Sequence, residues 1–336
     1  MSILITGGAG YIGSHMAYQF IDSGEEVVVL DNLSTGVRQN VPAKARMVVG
    51  DVSDSELVSQ LIRAHKIDSV IHFAGSVIVP ESVEMPLHYY GNNTSASRTL
   101  IDSCVRHGVG NFLFSSTAAV YGIPPVIPVL EDSVTIPVSP YGRSKLMTEW
   151  MLRDAAEAHE IRFGILRYFN VAGADARGRT GQSTPRATHL IKRACQVATG
   201  QADKLTIFGG DYETLDGTGV RDYIHVSDLV DIHEKVLARL RKTGESILLN
   251  CGYGRGFSVR EVVSAVERVS GRSLATEVAE RRPGDLPSVV ADTARLKNML
   301  SWKPNYDDLD TIVRTALAWE EKIRATADTA PPPKSN

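Results

Sequence analysis

The stretch Thr6-Gly7-Gly8-Ala9-Gly10-Tyr11-Ile12-Gly13 decides how this chain folds. It follows a short apolar run, Ile3-Leu4-Ile5, and opens an apolar-periodic segment that continues to about Ser23. A strand, a tight turn and a helix in that order form the setting in which a glycine-rich loop binds a dinucleotide. Gly7 permits the sharp turn, Gly10 removes a side chain that would block a pyrophosphate, and Gly13 lets the helix pack close to the strand. Unpaired N–H groups at the helix start then face the anion. Glycines also mark ordinary turns, so the loop gains weight from Asp31. That residue closes a second apolar strand, Val27 to Leu30, about 20 residues further on, where a ribose-binding carboxylate is expected.

Outward from this loop, short apolar runs alternate with helical patterns. Strands are expected at 2–6, 26–31, 46–50, 69–74, 111–115 and 161–168, and helices at 11–23, 54–65, 84–107 and 141–159. Strands apolar on both faces lie between helix layers, which makes the fold class α/β, a Rossmann-type doubly wound parallel sheet. After Asn170 the texture changes to Gly-, Arg-, Ser- and Thr-rich loops between shorter elements. This suggests an NAD-type nucleotide domain over 1–170 and a smaller α/β substrate domain over 171–324, with helices near 187–199, 227–241, 258–269 and 308–323. The tail 325–336, containing Pro331 to Pro333, reads as disordered.

The bulk properties exclude several classes. A formal net charge of −3 over 336 residues gives no global attraction to nucleic acid or to an anionic membrane. An anionic ligand must be held by local cations and backbone dipoles. Cys104, Cys195 and Cys251 are odd in number and far apart, so neither a disulfide framework nor a zinc site is indicated, and the histidines show no metal-ligand spacing. No apolar run approaches a membrane span, and the first strand starts at residue 2, leaving no room for a signal peptide; cytoplasm is the default.

The chemistry gathers at Tyr141 and Lys145. Four residues apart at the start of a helical stretch, they share one face. A free tyrosine ionises near pH 10, so service as a base at neutral pH requires nearby positive charge, here Lys145 and an oxidised nicotinamide. Upstream, Ser115-Ser116-Thr117 ends an apolar strand, where ligands gather in open α/β sheets. The Thr117 hydroxyl is placed to bond a substrate hydroxyl and share its proton with Tyr141. Each piece alone is common; the ordered set is far more specific.

That set resembles the extended short-chain dehydrogenase/reductase family. Further stretches narrow the resemblance to its nucleotide-sugar epimerases: His72-Phe73-Ala74-Gly75, Tyr89-Tyr90-Gly91-Asn92-Asn93, Val120-Tyr121-Gly122, Leu166-Arg167-Tyr168-Phe169-Asn170, Asp216 to His225, and Arg281-Arg282-Pro283-Gly284-Asp285. The resemblance runs from residue 2 to about 320.

It implies a tightly held NAD, regenerated each turnover, and inversion at C4 between UDP-galactose and UDP-glucose through a 4-keto sugar. UDP-N-acetylhexosamines are a possible extension, and a UDP-pentose epimerase or a dehydrogenase is the alternative. Tyr11 and Ile12 would line the pyrophosphate turn, and Asp31, Asn32, Leu33, Ser34, Thr35 and Gly36 the adenosine ribose, with Asp31 favouring NAD over NADP. Asp51 and Val52 would flank the adenine. Phe73, Ala74, Gly75, Asn92, Lys145 and Thr117 would contact the pyrophosphate or nicotinamide ribose, with Phe169 near the nicotinamide. Tyr141 would be the base. Asn170, Thr188, His189, Leu190, Arg221, Arg282, Asp285 and Val289 would hold the UDP-sugar. For Arg221 and Arg282, surface pairing with Asp222 and Glu280 is the competing reading. The resemblance also implies a homodimer through helices 84–107 and 141–159.

Two departures stand out. Val77 replaces a lysine that some members carry after the Phe-Ala-Gly triplet. Val289 stands where members restricted to simple hexoses have a tyrosine, which implies a roomier sugar pocket. Thr188-His189 also replaces an asparagine pair seen in some relatives. Ala118-Ala119, directly after Thr117, cannot transfer the protons that a dehydratase needs.

Overall fold

The computed structural model describes residues 2–184, 187–282 and 285–329. Its first half contains β1 (Ser2–Thr6), α1 (Tyr11–Asp22), β2 (Glu26–Asp31), β3 (Arg46–Val49), α2 (Ser55–His65), β4 (Ile67–His72), α3 (Val79–Glu84), α4 (Pro86–Tyr89), α5 (Ala96–Arg106), β5 (Asn111–Thr117), α6 (Pro140–Ala158) and β6 (Arg162–Tyr168). The second half adds β7 (Asn170–Ala172), α7 (Leu190–Ala198), β8 (Leu205–Phe208), β9 (Val220–His225), α8 (Val226–Thr243), β10 (Ile247–Cys251) and β11 (Gly256–Ser258). It ends with α9 (Val259–Ser270), β12 (Thr276–Ala279), β13 (Ser288–Val289), α10 (Ala294–Leu300) and α11 (Leu309–Thr329).

Seven parallel strands form the main sheet in the order β10-β6-β5-β4-β1-β2-β3. Alternation along β1 explains why it is buried on both faces. Ile3 and Ile5 join the core under α1 and α8, while Leu4 joins the core under α2 and α5. The order reverses between β1 and β4, which are paired neighbours. Their carboxyl ends therefore open a crevice at the topological switch point, and both the glycine loop and Phe73 to Gly75 lie on its rim.

A second group packs beyond the β6 end. Here β9 is flanked by antiparallel β11 and parallel β13, β7 pairs β9, and β8 pairs β12. Helices α7, α9 and α11 pack on one another there.

Three expectations need correction. A cut at residue 170 is too simple: α8 packs on α1, and β10 extends the main sheet beside β6, so 226–251 return to the nucleotide-binding layers. The expected helix 84–107 is broken. Pro86, which has no N–H to donate, starts a new short helix, and Tyr90–Ser95 form a π-helical turn ahead of α5. The tail was expected to begin at 325, yet α11 continues to Thr329; 330–336 lie outside the described residues.

Candidate active site

The glycine loop has the geometry that a pyrophosphate requires. Gly7 adopts φ +69°, and a Cβ there would lie 2.6 Å from the Ala74 nitrogen. A Cβ on Gly13 would stand 2.2 Å from the Gly7 carbonyl oxygen. At Gly10 a Cβ would meet only that oxygen, at 3.2 Å, so the protein itself does not demand glycine there. Gly10 caps α1 with no side-chain hydrogen bond, and the N–H groups of the first turn face the crevice. These features fit a bound dinucleotide.

Asp31 is buried, and each carboxylate oxygen accepts one backbone N–H: Oδ2 from Ala9 at 2.9 Å and Oδ1 from Leu33 at 2.8 Å. It thus ties the glycine loop to the β2 end and keeps lone pairs for a ribose. Leu33 takes φ +59° to make this turn, and a Cβ on Gly36 would press on Oδ1 at 2.8 Å. Asn32 donates to Asp51 at 2.8 Å and accepts from the Ser34 N–H, which shapes the rim carrying Ser34 and Thr35. Val52 turns into the core, whereas Asp51 stays at the rim. Ile12 packs partly buried against the core, and the Tyr11 hydroxyl donates to the Gly173 carbonyl at 2.7 Å, fastening the loop to the second half.

Across the crevice, Phe73 packs against the His233 ring at 5.3 Å, and Gly75 adopts φ +151°. The π turn sets two asparagines beside the same loop. Asn92 donates to the Ser76 hydroxyl at 2.9 Å; Asn93 accepts from the Ser76 N–H and donates to the Ser76 carbonyl and to Ser144. Asn93, absent from the expected site, fixes this loop; the doubled asparagine was its one local signal. Behind it, Thr6 bonds His72 Nδ1 at 2.7 Å and Ser97 bonds Nε2 at 2.7 Å. Ser97 spends its proton on the Asn93 carbonyl, so His72 carries its proton on Nε2. Burial drives the His72 pKa down to about 3.

Tyr141 and Lys145 occupy the first turns of α6, capped by Ser139, whose side chain accepts from the Gly142 N–H. Thr117, at the β5 end, accepts from the Ala119 N–H at 3.1 Å and lies close enough to act on the Tyr141 phenol. The Lys145 ammonium donates to the Ser115 carbonyl at 2.9 Å and lies 5.0 Å above the Phe114 ring. Burial lowers its pKa to about 8. Tyr141 differs from expectation: burial raises its pKa, and the Thr117 hydroxyl opposes that rise, with no lowering by Lys145. The protein alone keeps the phenol protonated, and a further positive charge is needed to ionise it. Tyr89, also unforeseen, packs edge-on to Tyr141 at 6.4 Å, and its hydroxyl reaches Glu81 and the Ile78 backbone.

One turn after Lys145, buried Glu149 accepts from Ser116 and forms a two-point pair with Arg167, at 3.0 and 2.6 Å. Arg167 also donates to the Glu131 carbonyl and stacks over Tyr121 at 4.8 Å. This satisfied pair locks α6, β5 and β6 together beneath the catalytic groups.

The substrate-side residues fall into two groups. Asn170, His189 and Leu190 line one cavity together with Tyr11 and Gln182, while Thr188 is exposed beside it. Arg221 on β9 is paired in register with Val289 on β13, and its guanidinium donates to the Val220 and Leu286 carbonyls at 2.9 Å each. Asp222 does not pair with it; instead it accepts from the Tyr253, Gly254 and Ala291 backbones. Arg282 bonds Asp285 at 2.8 Å, rather than Glu280, and lies over the Phe208 ring. Pro283 and Gly284 lie outside the described residues. Phe169 and Val289 pack into one small cluster with Tyr121 and Ala291.

A dinucleotide loop at the switch point, beside a tyrosine, lysine and threonine on adjoining elements, is the layout of an NAD-using α/β enzyme. The chain belongs to the NAD dependent epimerase/dehydratase family, whose model matches residues 3–252. It is 55% identical over 331 residues to a UDP-glucose 4-epimerase of Azospirillum brasilense, covering 98% of this chain and 95% of that one. A crystal structure of UDP-glucose 4-epimerase from Brucella ovis in complex with NAD is 43% identical with a TM-score of 0.91, covering 94% of this chain and 97% of the other. The UDP-Glc/GlcNAc 4-epimerase of Campylobacter jejuni is 47% identical with a TM-score of 0.84, covering 96% and 99%. NAD is the cofactor.

Proposed function

We propose that this chain interconverts UDP-galactose and UDP-glucose by inverting the sugar at C4. The observation that carries the reading is Tyr141 one turn ahead of buried Lys145 on α6, with Thr117 at the β5 end close enough to act on the phenol, at the mouth of the glycine-loop crevice. Bound NAD supplies hydride acceptance and return at the sugar carbon, and the positive charge that favours the tyrosinate.

Tyr141 takes the 4-hydroxyl proton, with Thr117 sharing that hydroxyl's hydrogen bond. Lys145, held by the Ser115 carbonyl, keeps a cation beside the nucleotide ribose and the phenolate. Arg221 and Arg282 clamp the diphosphate while the transient 4-keto sugar turns its other face, and Tyr141 returns the proton. Asn170, His189 and Leu190 line the diphosphate-side wall. On the cofactor side, Gly7, Gly10 and Gly13 admit the pyrophosphate, and Asp31 to Gly36 take the ribose. Ala118 and Ala119 carry no acid or base, which disfavours elimination of water. Replacing Tyr141 by Phe should nearly abolish turnover while UDP still binds; unimpaired turnover would remove Tyr141 as the base.

A wider substrate range is the second reading, favoured by Val289. This half-buried valine sits in register with Arg221 and takes less space than a tyrosine there would. We also infer a homodimer through the region 84–107 and α6. Leu87, 81% exposed, and Trp150, 54% exposed, supply apolar surface on those elements. Among the described residues no helix is long and apolar enough to cross a membrane. The three cysteines are free and buried, which suits the reducing cytoplasm.

A further inference from the structure

A row of buried hydrogen bonds joins the glycine loop to the helix that carries Tyr141 and Lys145. Thr6, the last residue of β1 before Gly7, donates its hydroxyl proton to His72 Nδ1 at 2.7 Å, and the two residues are register partners across β1 and β4. His72 Nε2–H donates to the Ser97 hydroxyl at 2.7 Å, and Ser97 donates to the Asn93 carbonyl in the π turn. The Asn93 side chain donates to the Ser144 hydroxyl at 3.1 Å, and Ser144 donates to the Tyr141 carbonyl at 2.7 Å. Thr6, His72, Asn93, Ser97 and Ser144 are each no more than 2% exposed.

Each hydroxyl has one proton to give, so the row runs in a single direction, from Thr6 toward Tyr141. Donors aligned in this way polarise and strengthen one another. The row also branches: Asn93 Oδ1 accepts from the Ser76 N–H at 2.8 Å, and a Cβ on Gly75 would lie 2.9 Å from that oxygen. It therefore touches the glycine turn, the loop after β4 and the first turns of α6, the three pieces that border the crevice. Paired polar groups in an interior add little net stability over apolar groups of the same shape, so the fold has no need of them. What they supply is a fixed distance and direction.

We propose that Asn93, Ser97 and Ser144 are positioning residues, holding Tyr141 and Lys145 in register with the nucleotide at the glycine turn. The inference rests on the epimerase reading. A catalytic group displaced by about 1 Å loses up to about a hundredfold in rate, so cutting the row lowers kcat while the groups that bind substrate stay in place.

Ser97→Ala and Ser144→Ala each cut the row at one link, and the double variant cuts both. Turnover of UDP-galactose is measured per NAD-loaded site, with NAD content read from nucleotide released on denaturation and folding read from the thermal midpoint. Each single variant should lower kcat roughly tenfold or more, with KM and NAD content within about twofold of the parent. The double variant should lie within about twofold of the slower single one, because a row already cut transmits nothing further. Ser144→Cys, similar in size and a weaker donor, should fall between Ser144→Ala and the parent, and it supplies the cut if the alanine variant does not fold. Parental kcat in the NAD-loaded single variants, a rise in KM at parental kcat, or losses that multiply in the double variant would overturn the assignment. A parent protein that does not convert UDP-galactose would overturn the epimerase reading, and this inference with it.

Discussion

Adding one methyl at Gly10 and, separately, at Gly13 should separate binding from folding within a single loop. At Gly13 the new Cβ would stand 2.2 Å from the Gly7 oxygen and 2.8 Å from the Gly8 Cα, both backbone atoms. Relief requires the loop to retreat from α1 by about 1 Å, and overpacking of that kind costs about 1–3 kcal/mol. In a chain of this size that lowers the thermal midpoint by about 1.5–4 °C. At Gly10, φ −77° and ψ −179° suit alanine, and the Cβ meets only the Gly7 oxygen, at 3.2 Å. Nucleotide-free Gly10→Ala should therefore unfold within about 2 °C of the nucleotide-free parent, because the local change is worth at most about 1 kcal/mol. Its methyl, however, occupies the approach of the pyrophosphate. NAD affinity should fall at least about tenfold, or 1.4 kcal/mol. The assay measures nucleotide released on denaturing the purified protein, and unfolding after NAD has been stripped. Gly10→Ala with a full complement of NAD and parental NAD affinity would refute the placement of the pyrophosphate over this residue.

Val289→Tyr should narrow the sugar pocket beside Arg221, so UDP-GlcNAc turnover falls well below UDP-galactose turnover; equal discrimination in parent and variant would remove the argument. Acid should destabilise the fold. Burial lowers the pKa of His15 and His233 to about 4 and of His72 and His225 to about 3. The unfolded chain therefore binds more protons than the native one below about pH 6.5. Stability present above that pH is lost as pH falls toward the native values, by up to about 1.4 kcal/mol per pH unit for each histidine. Denaturant titrations between pH 7 and 5 check this, and a flat profile would contradict it.

Much of this arrangement is local and therefore legible. The glycine loop, Asp31 and the Tyr141–Lys145 spacing each depend on a few neighbouring residues, and the first six strands lie within two or three residues of their expected bounds. What the chain order hides is long-range. Ile247 to Cys251 is not among the strands expected above, and nothing local says that it pairs with β6 rather than with the strands of the second half. The helix expected over 84–107 kept a plausible period across Pro86, and the π turn that orients Asn92 and Asn93 leaves no periodic trace. Nothing local marks Glu149, because its partner Arg167 comes from the next strand. The pairing of Arg282 with Asp285 likewise arises from a loop folded on itself. Tyr141 shows a different gap. Its pKa depends on burial and on a cofactor charge, and spacing to Lys145 alone overstated the effect of the lysine.

The central claim is that hydride leaves and returns to the same sugar carbon within one closed site. UDP-galactose carrying deuterium at C4, incubated with the purified protein and no added nucleotide, tests this most directly. The account predicts UDP-glucose that retains deuterium at C4, formed without net reduction of nicotinamide. Deuterium found in released reduced cofactor, or moved to C6 of a deoxy-keto sugar, would contradict it.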